Sequence, residues 1–116
     1  MKRQIAEQSG RDGERRAANW LRIKGWSIIG SRIKTPHGEI DLVAKRGGVI
    51  AFIEVKWRKK KADLDHAIDE YRLQRVAAAV ECVAHDYAKK GEDIRIDVIL
   101  LAPGSFPRHI VNAWQP

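Results

Sequence analysis

The chain has 116 residues, 44% of them hydrophobic, which suits one domain spanning residues 1–116 around a single core. Its 22 Lys and Arg against 15 Asp and Glu give a net charge of +7, which favours a polyanionic partner, with nucleic acid ahead of a membrane surface. No stretch approaches the roughly 18 consecutive apolar residues of a membrane span, and the start lacks the apolar segment of a signal peptide, so a soluble cytoplasmic protein is expected.

The first two predicted elements are a helix and a strand. Small and apolar residues recur at helical spacing across residues 11–24, and Gly25 is a typical C-terminal stop. Residues 26–33 are rich in aromatic and β-branched types, which predicts a strand, and residues 35–38 predict a turn after it.

Residues 39–46 and 49–57 are predicted to form a β-hairpin. Gly47 and Gly48 make its two-residue loop, because glycine permits the positive φ angles of the favoured hairpin turns. The register then follows by counting outward from this loop.

The second half of the chain predicts a helix and two more strands. After a basic and polar connection, an amphipathic pattern from Leu64 to Tyr87 predicts a long helix, and Gly91 ends it. Residues 94–101 predict a strong strand and residues 106–114 a weaker one. A helix between the third and fourth strands predicts a right-handed crossover that makes them parallel. The fold class is therefore α/β, a mixed sheet flanked by helices in the order αβββαββ.

Two acids interrupt the otherwise apolar hairpin. The predicted register puts Asp41 directly opposite Glu54, and Glu39 opposite Lys56, on one face. Like charges at that separation are destabilising, so the pair needs a proton or a cation between its members. Mg²⁺ or Mn²⁺ suits such carboxylates, whereas zinc would be indicated by clustered His and Cys. The alternative is that each charge forms an ordinary ion pair at a sheet edge.

Two further residues extend this candidate site. Lys56 follows Glu54 by two residues and shares its face, where an ammonium could orient water or stabilise charge developing at phosphorus. Glu14 lies three, four and seven residues before apolar positions of the first helix, which puts it on the face that should meet the sheet. The alternative for Glu14 is an acid near a helix start, favoured by the macrodipole.

A family resemblance rests on these residues. Asp41 followed by Glu54-Val55-Lys56 resembles the PD-(D/E)xK motif of restriction-endonuclease-like nucleases, whose core order is αβββαβ. A longer run, over about residues 10–101, resembles the YraN-like bacterial family, which is related to archaeal Holliday-junction resolvases. That run consists of Gly10-x-x-Gly13-Glu14, Gly38-Glu39-Ile40-Asp41-Leu42, Phe52-Ile53-Glu54-Val55-Lys56-x-Arg58 and Ile96-Asp97-Val98.

The resemblance implies a divalent-metal site and a nuclease-like fold. Its ligands would be Asp41, Glu54 and the backbone carbonyl of Val55. Lys56 would be the catalytic lysine, and Glu14 would act as an acid from the first helix, in contact with the metal or with a metal-bound water. The implied cofactor is Mg²⁺ or Mn²⁺.

The chain also departs from the family pattern. The family often has lysine where Arg72 aligns, and Arg-Asn where Ser31-Arg32 aligns, while Glu39 belongs to the motif without a clear role. Residues that could contact phosphates without reading sequence are Arg58, Lys59, Lys60, Arg72 and Arg75.

The leading hypothesis is a metal-dependent endonuclease that hydrolyses nucleic-acid phosphodiesters, with DNA ahead of RNA as partner and branched DNA as one candidate substrate. A homodimer is one candidate assembly. The rivals are a nucleic-acid-binding module that keeps the fold without turnover, and a structural or interaction protein. Asp97, which interrupts an apolar strand, favours a structural hydrogen-bonding role.

Overall fold

The computed structural model describes residues 2–59 and 70–114, with side chains for residues 11–59 and 72–114. These described residues form two helices and five strands in the predicted order. They are α1 (Lys2–Ile23), β1 (Ser27–Thr35), β2 (Gly38–Arg46), β3 (Val49–Trp57), α2 (Glu70–Tyr87), β4 (Asp93–Leu101) and β5 (Arg108–Ile110). The first residues of the predicted second helix, from Leu64, lie outside the described residues.

The strands form one mixed sheet in the order β1-β2-β3-β4-β5. Neighbours are antiparallel except β3 and β4, which are parallel and are connected through α2. The predicted mixed sheet and its parallel pair are therefore confirmed. Neither described helix is long and apolar enough to span a bilayer.

The core has two layers because helices pack on both faces of the sheet. On one face α2 packs against Phe52 and Val98, and on the other α1 packs against Ile53 and Ile99. The central strand β3 contributes to both layers, which explains why its sequence is a nearly continuous apolar run instead of an alternating one.

Helix α1 ends in a Schellman motif, as Gly25 predicts. The Trp26 N–H donates to Leu21 O and the Gly25 N–H to Arg22 O, both at 3.0 Å, while Gly25 has a φ of 91°. The buried side chains of Leu21 and Trp26 belong to the same core layer, the apolar contact that accompanies this motif. The motif turns the chain directly from α1 into β1.

Replacing Gly25 by Ala should destabilise the protein by about 1–2 kcal/mol, because an L side chain is strained at this φ. Gly48→Ala is the matched control, since a Cβ at Gly48 meets nothing within 4 Å and its φ is not positive. Urea unfolding of both variants measures the difference. Equal midpoints would show that the Gly25 conformation does not limit stability.

The first helix and the last strand differ most from their predicted bounds. Helix α1 begins at Lys2 and not near residue 11, because the prediction followed apolar spacing, which the polar start does not show. Strand β5 covers only Arg108–Ile110 instead of residues 106–114. The chain turns at Asn112, whose φ is 54° and whose N–H donates to Asp97 Oδ1 instead of to a strand.

Candidate functional site

The predicted hairpin register is confirmed near the loop and fails at Asp41. The ladder between β2 and β3 runs from Arg46 opposite Val49 to Leu42 opposite Ile53 and ends there. The expected pairs of Asp41 with Glu54 and of Glu39 with Lys56 are therefore wrong. The reason is a side chain: Asp41 Oδ2 accepts the Val55 N–H at 2.8 Å.

The alternation of side chains along β2 also changes at Asp41. Residues two apart in a regular strand share a face, yet Ile40 belongs to the α2-side core layer and Leu42 to the α1-side layer. On the other neighbouring strand, β1 pairs Ser31 with Leu42 and Ile33 with Ile40, and Asp41 is not among the paired residues. The kink aims the Asp41 carboxylate into the gap between β2 and β3.

Three carboxylates converge at this kink. One oxygen each of Glu14, Glu39 and Asp41 lies within 4.8 Å of the others. Glu14 reaches the group from α1, where the neighbouring Gly13 is buried against β3; a Cβ there would lie 3.6 Å from Trp57 Cβ. The close approach of helix and strand brings the Glu14 carboxylate to the sheet. We call Glu14, Glu39 and Asp41 the acidic group.

Asp41 is electrostatically unfavourable as a free carboxylate. Burial, with further repulsion from Glu54 and Glu14, raises the pKa of Asp41 from 3.8 to about 7, although the Val55 N–H and Lys56 act in the opposite direction. A proton or a cation at Asp41 would therefore relieve an unfavourable charge near neutral pH. Titratable groups perturbed in this way concentrate at functional sites.

Glu54 is buried and already accompanied by cations. Its Oε1 lies 2.9 Å from Lys56 Nζ and 3.2 Å from Arg72 Nε. Glu54 and Lys56 are each only 6% exposed, whereas the Arg72 side chain is 59% exposed. Burial lowers the pKa of Lys56 although the Glu54 carboxylate opposes that shift. Lys56 thus contacts Glu54 on its own strand instead of Glu39 across the hairpin.

Several of these charged side chains line a cleft of about 530 Å³ between the sheet and the start of α2. Its charged lining residues are Glu39, Asp41, Glu54, Arg72 and Arg75. Carboxylates on one wall and guanidinium groups on the other suit a ligand that carries both a cation and an anion, such as a metal-bound phosphate.

The remaining predicted phosphate contacts are more dispersed. Arg58 is partly buried, and its guanidinium donates to the Trp57 carbonyl at 2.8 Å. Lys59 is exposed just past the end of β3. Lys60 lies outside the described residues.

The donor chemistry of the site fits a hard divalent cation. The acidic group offers three carboxylates, the donors that Mg²⁺ and Mn²⁺ prefer, and its unfavourable charge would be relieved by a cation. Glu39, which belongs to the family motif without a clear role, is part of this group. Glu54 and the Val55 carbonyl adjoin it and stay predicted ligands.

Asp97 has the structural role that its sequence position favours. It is fully buried, accepts hydrogen bonds from Arg95 Nε and the Asn112 N–H, and lies 2.7 Å from His109 Nε2. Burial opposes its ionisation, but these partners outweigh it and lower the pKa of Asp97. Asp97 lies on the α1 side of the sheet, away from Glu54, because its neighbours in β4, Ile96 and Val98, pack on the α2 side.

Sequence reasoning missed one residue at the site. Arg32 donates from Nε to Glu14 Oε2 at 2.8 Å and has a φ of 51°. Its role could not be found from spacing, because the contact joins residues 18 apart through a backbone conformation that non-glycine residues adopt rarely.

Comparison with known proteins places the sequence of this chain in a family. A family model described as "Uncharacterised protein family UPF0102" matches residues 13–101. A UPF0102 protein of Erythrobacter litoralis is 80% identical over all 116 residues of both chains, and one of Sphingopyxis alaskensis is 61% identical over the same length. A UPF0102 protein of Rhizorhabdus wittichii is 54% identical over 98% of this chain and 97% of its own.

Proposed function

The chain belongs to the UPF0102 (YraN) family, and from its cleft we propose that it is a divalent-metal-dependent endonuclease that hydrolyses nucleic-acid phosphodiesters. The single observation that carries this proposal is the convergence of the acidic group at the kink of β2. The proposal includes a restriction-endonuclease-like fold. It is supported by the αβββαββ order and by the acids that lie where the β2–β3 ladder ends.

The acidic group would hold Mg²⁺ or Mn²⁺, with Glu54 and the Val55 carbonyl as additional ligands. A bound divalent cation would supply neutralisation of phosphate charge and a more acidic water. The Val55 N–H fixes one oxygen of Asp41, so the orientation of this ligand is set before any cation arrives.

The cationic side chains would act on the phosphate. Lys56 is buried beside Glu54, and there its ammonium would stabilise charge that develops at phosphorus. Arg72 and Arg75 lie in the first two turns of α2, at the opposite wall of the cleft, and would bind the phosphodiester backbone. Contacts to phosphates give affinity without sequence preference. The proposal favours DNA ahead of RNA because of the family resemblance alone.

A second candidate function is nucleic-acid binding without turnover. The observation that favours it is the engagement of Glu54 Oε1 by both Lys56 and Arg72, which already neutralises a carboxylate that a nuclease would use as a ligand. A structural or interaction role is the third candidate, in which the charges of the cleft serve stability alone.

A cleavage panel distinguishes these functions. Branched, single-stranded and duplex DNA and a matched RNA are incubated with Mg²⁺ or Mn²⁺ and the full chain, with Asp41→Ala and Glu54→Ala as controls. We expect metal-dependent products with the wild type and none with either variant. Binding at low salt without cleavage would establish the binding module, and absence of binding at low salt would favour the structural role. Sedimentation of the active species with a branched substrate tests the homodimer.

A further inference from the structure

Arg32 has an unusual backbone for a residue inside a strand. It is one of two described non-glycine residues with positive φ, at 51°, and the other, Asn112, lies in a turn. A left-handed conformation costs an arginine energy and persists only when surrounding contacts favour it. The neighbours Ser31 and Ile33 pair with β2, but Arg32 is not among the paired residues.

The side chain of Arg32 explains what this conformation achieves. Its Nε lies 2.8 Å from Glu14 Oε2, joining β1 to α1, and the side chain is 39% exposed while that of Glu14 is 18% exposed. The hydrogen bond to Glu14 raises the pKa of Arg32, and the charges of Glu39 and Asp41 add to the effect. Arg32 therefore interacts favourably with all three members of the acidic group.

We propose that Arg32 is the internal counter-cation of the acidic group and that it competes there with a divalent cation. This inference rests on the proposed metal site and adds a residue that regulates its affinity for a cation. In the free protein the guanidinium partly neutralises Glu14, Glu39 and Asp41. A divalent cation that binds the same carboxylates must overcome this positive charge, so Arg32 sets the cation concentration at which the site fills. Because the guanidinium is partly exposed, it can leave Glu14 for solvent without unfolding the strand.

The test is Mn²⁺ titration calorimetry on the full-length Arg32→Gln protein. Gln keeps a flexible side chain at the same strained φ, so the change removes the charge and leaves the backbone cost in place. We expect Arg32→Gln to bind Mn²⁺ about three- to tenfold more tightly than the wild type at low salt, and to melt at a lower temperature in chelator. A higher salt concentration should reduce the difference in Mn²⁺ affinity between Arg32→Gln and the wild type, because salt screens the charge of Arg32.

Two variants control the experiment. Arg32→Lys keeps the charge and should return the Mn²⁺ affinity close to that of the wild type. Arg22→Gln removes the same charge from an exposed position in the last turn of α1, where Arg22 contacts Asn19, and should leave the Mn²⁺ affinity unchanged.

Equal or weaker Mn²⁺ binding by Arg32→Gln would overturn the competition, while the proposed metal site would stand if both proteins bind. Absence of Mn²⁺ binding by both proteins would overturn the metal site and this inference together. Tighter Mn²⁺ binding by Arg32→Gln, together with an unchanged Mn²⁺ affinity of Arg22→Gln, supports both the metal site and the competition.

Discussion

Asp41→Asn is expected to remove divalent-cation binding and cleavage while stabilising the metal-free protein above neutral pH. Asn retains an oxygen that can accept the Val55 N–H but carries no charge for a cation. Loss of residues that only orient metal ligands already costs 10–100-fold in affinity or activity, so loss of a ligand should cost about 100-fold or more. Calorimetry with Mn²⁺ and the rate of DNA cleavage measure both effects.

The pH dependence of stability follows from the raised pKa of Asp41. Its pKa is about 7 in the folded protein and 3.8 in the unfolded chain, so the folded state binds the extra proton between these values. In chelator, the penalty of ionised Asp41 is absent below pH 4, grows as the pH rises, and is complete above pH 7. Thermal melts should therefore show Asp41→Asn gaining stability relative to the wild type across this window.

The same linkage sets the pH dependence of metal binding. A cation that displaces a proton from Asp41 should bind more tightly as the pH rises toward about 7, with little further gain above it. Asp86→Asn removes an exposed carboxylate from the end of α2 and is the control for general charge effects. A constant difference in melting temperature between Asp41→Asn and wild type from pH 4 to 8 would contradict the buried-carboxylate interpretation.

Asp97→Ala is expected to cost about 3 kcal/mol of folding free energy, the largest stability effect at any acid of the described chain. Removal of this buried carboxylate takes away the hydrogen-bond partner that Asp97 offers to Arg95, to His109 and to the N–H of Asn112. The segment after β5 is held partly by these contacts, so it should also exchange amide hydrogens faster. Urea unfolding and hydrogen exchange measure the two effects.

The pH dependence of this contribution has the opposite sign from that of Asp41. Because the folded pKa of Asp97 is lowered, its stabilisation is complete above the unfolded value of 3.8 and is lost as the pH falls through the folded pKa. Asp97→Asn should therefore differ most from the wild type at neutral pH. Asp93→Ala, at the exposed start of the same strand, is the control, and equal unfolding midpoints for Asp93→Ala and Asp97→Ala would contradict the anchoring role.

The sequence predicted the elements and the parallel pair because these depend on local patterns. Gly25 ends α1 where its positive φ is needed, and the Gly47-Gly48 loop fixes the hairpin register over the following five pairs. Such signals involve residues close along the chain, so no knowledge of distant packing is required.

The same counting failed at Asp41 because it assumes a regular ladder. A side chain that replaces a backbone acceptor leaves no trace in residue spacing, and the Asp41 carboxylate does this at Val55. The regular register predicted an Asp41–Glu54 pair, whereas the kink groups Asp41 with Glu14 and Glu39.

The sequence by itself determined which residue types meet in this protein: an acidic hairpin with a lysine two residues after its glutamate, an acid on the sheet-facing side of the first helix, and a net charge of +7. The tertiary structure decided how they are arranged. It turned the Asp41 carboxylate into the gap between two strands, placed Glu14 and Glu39 beside it, and brought Arg32 to Glu14. Those contacts depend on α1 packing across four strands of the sheet, and distances along the chain do not encode that packing.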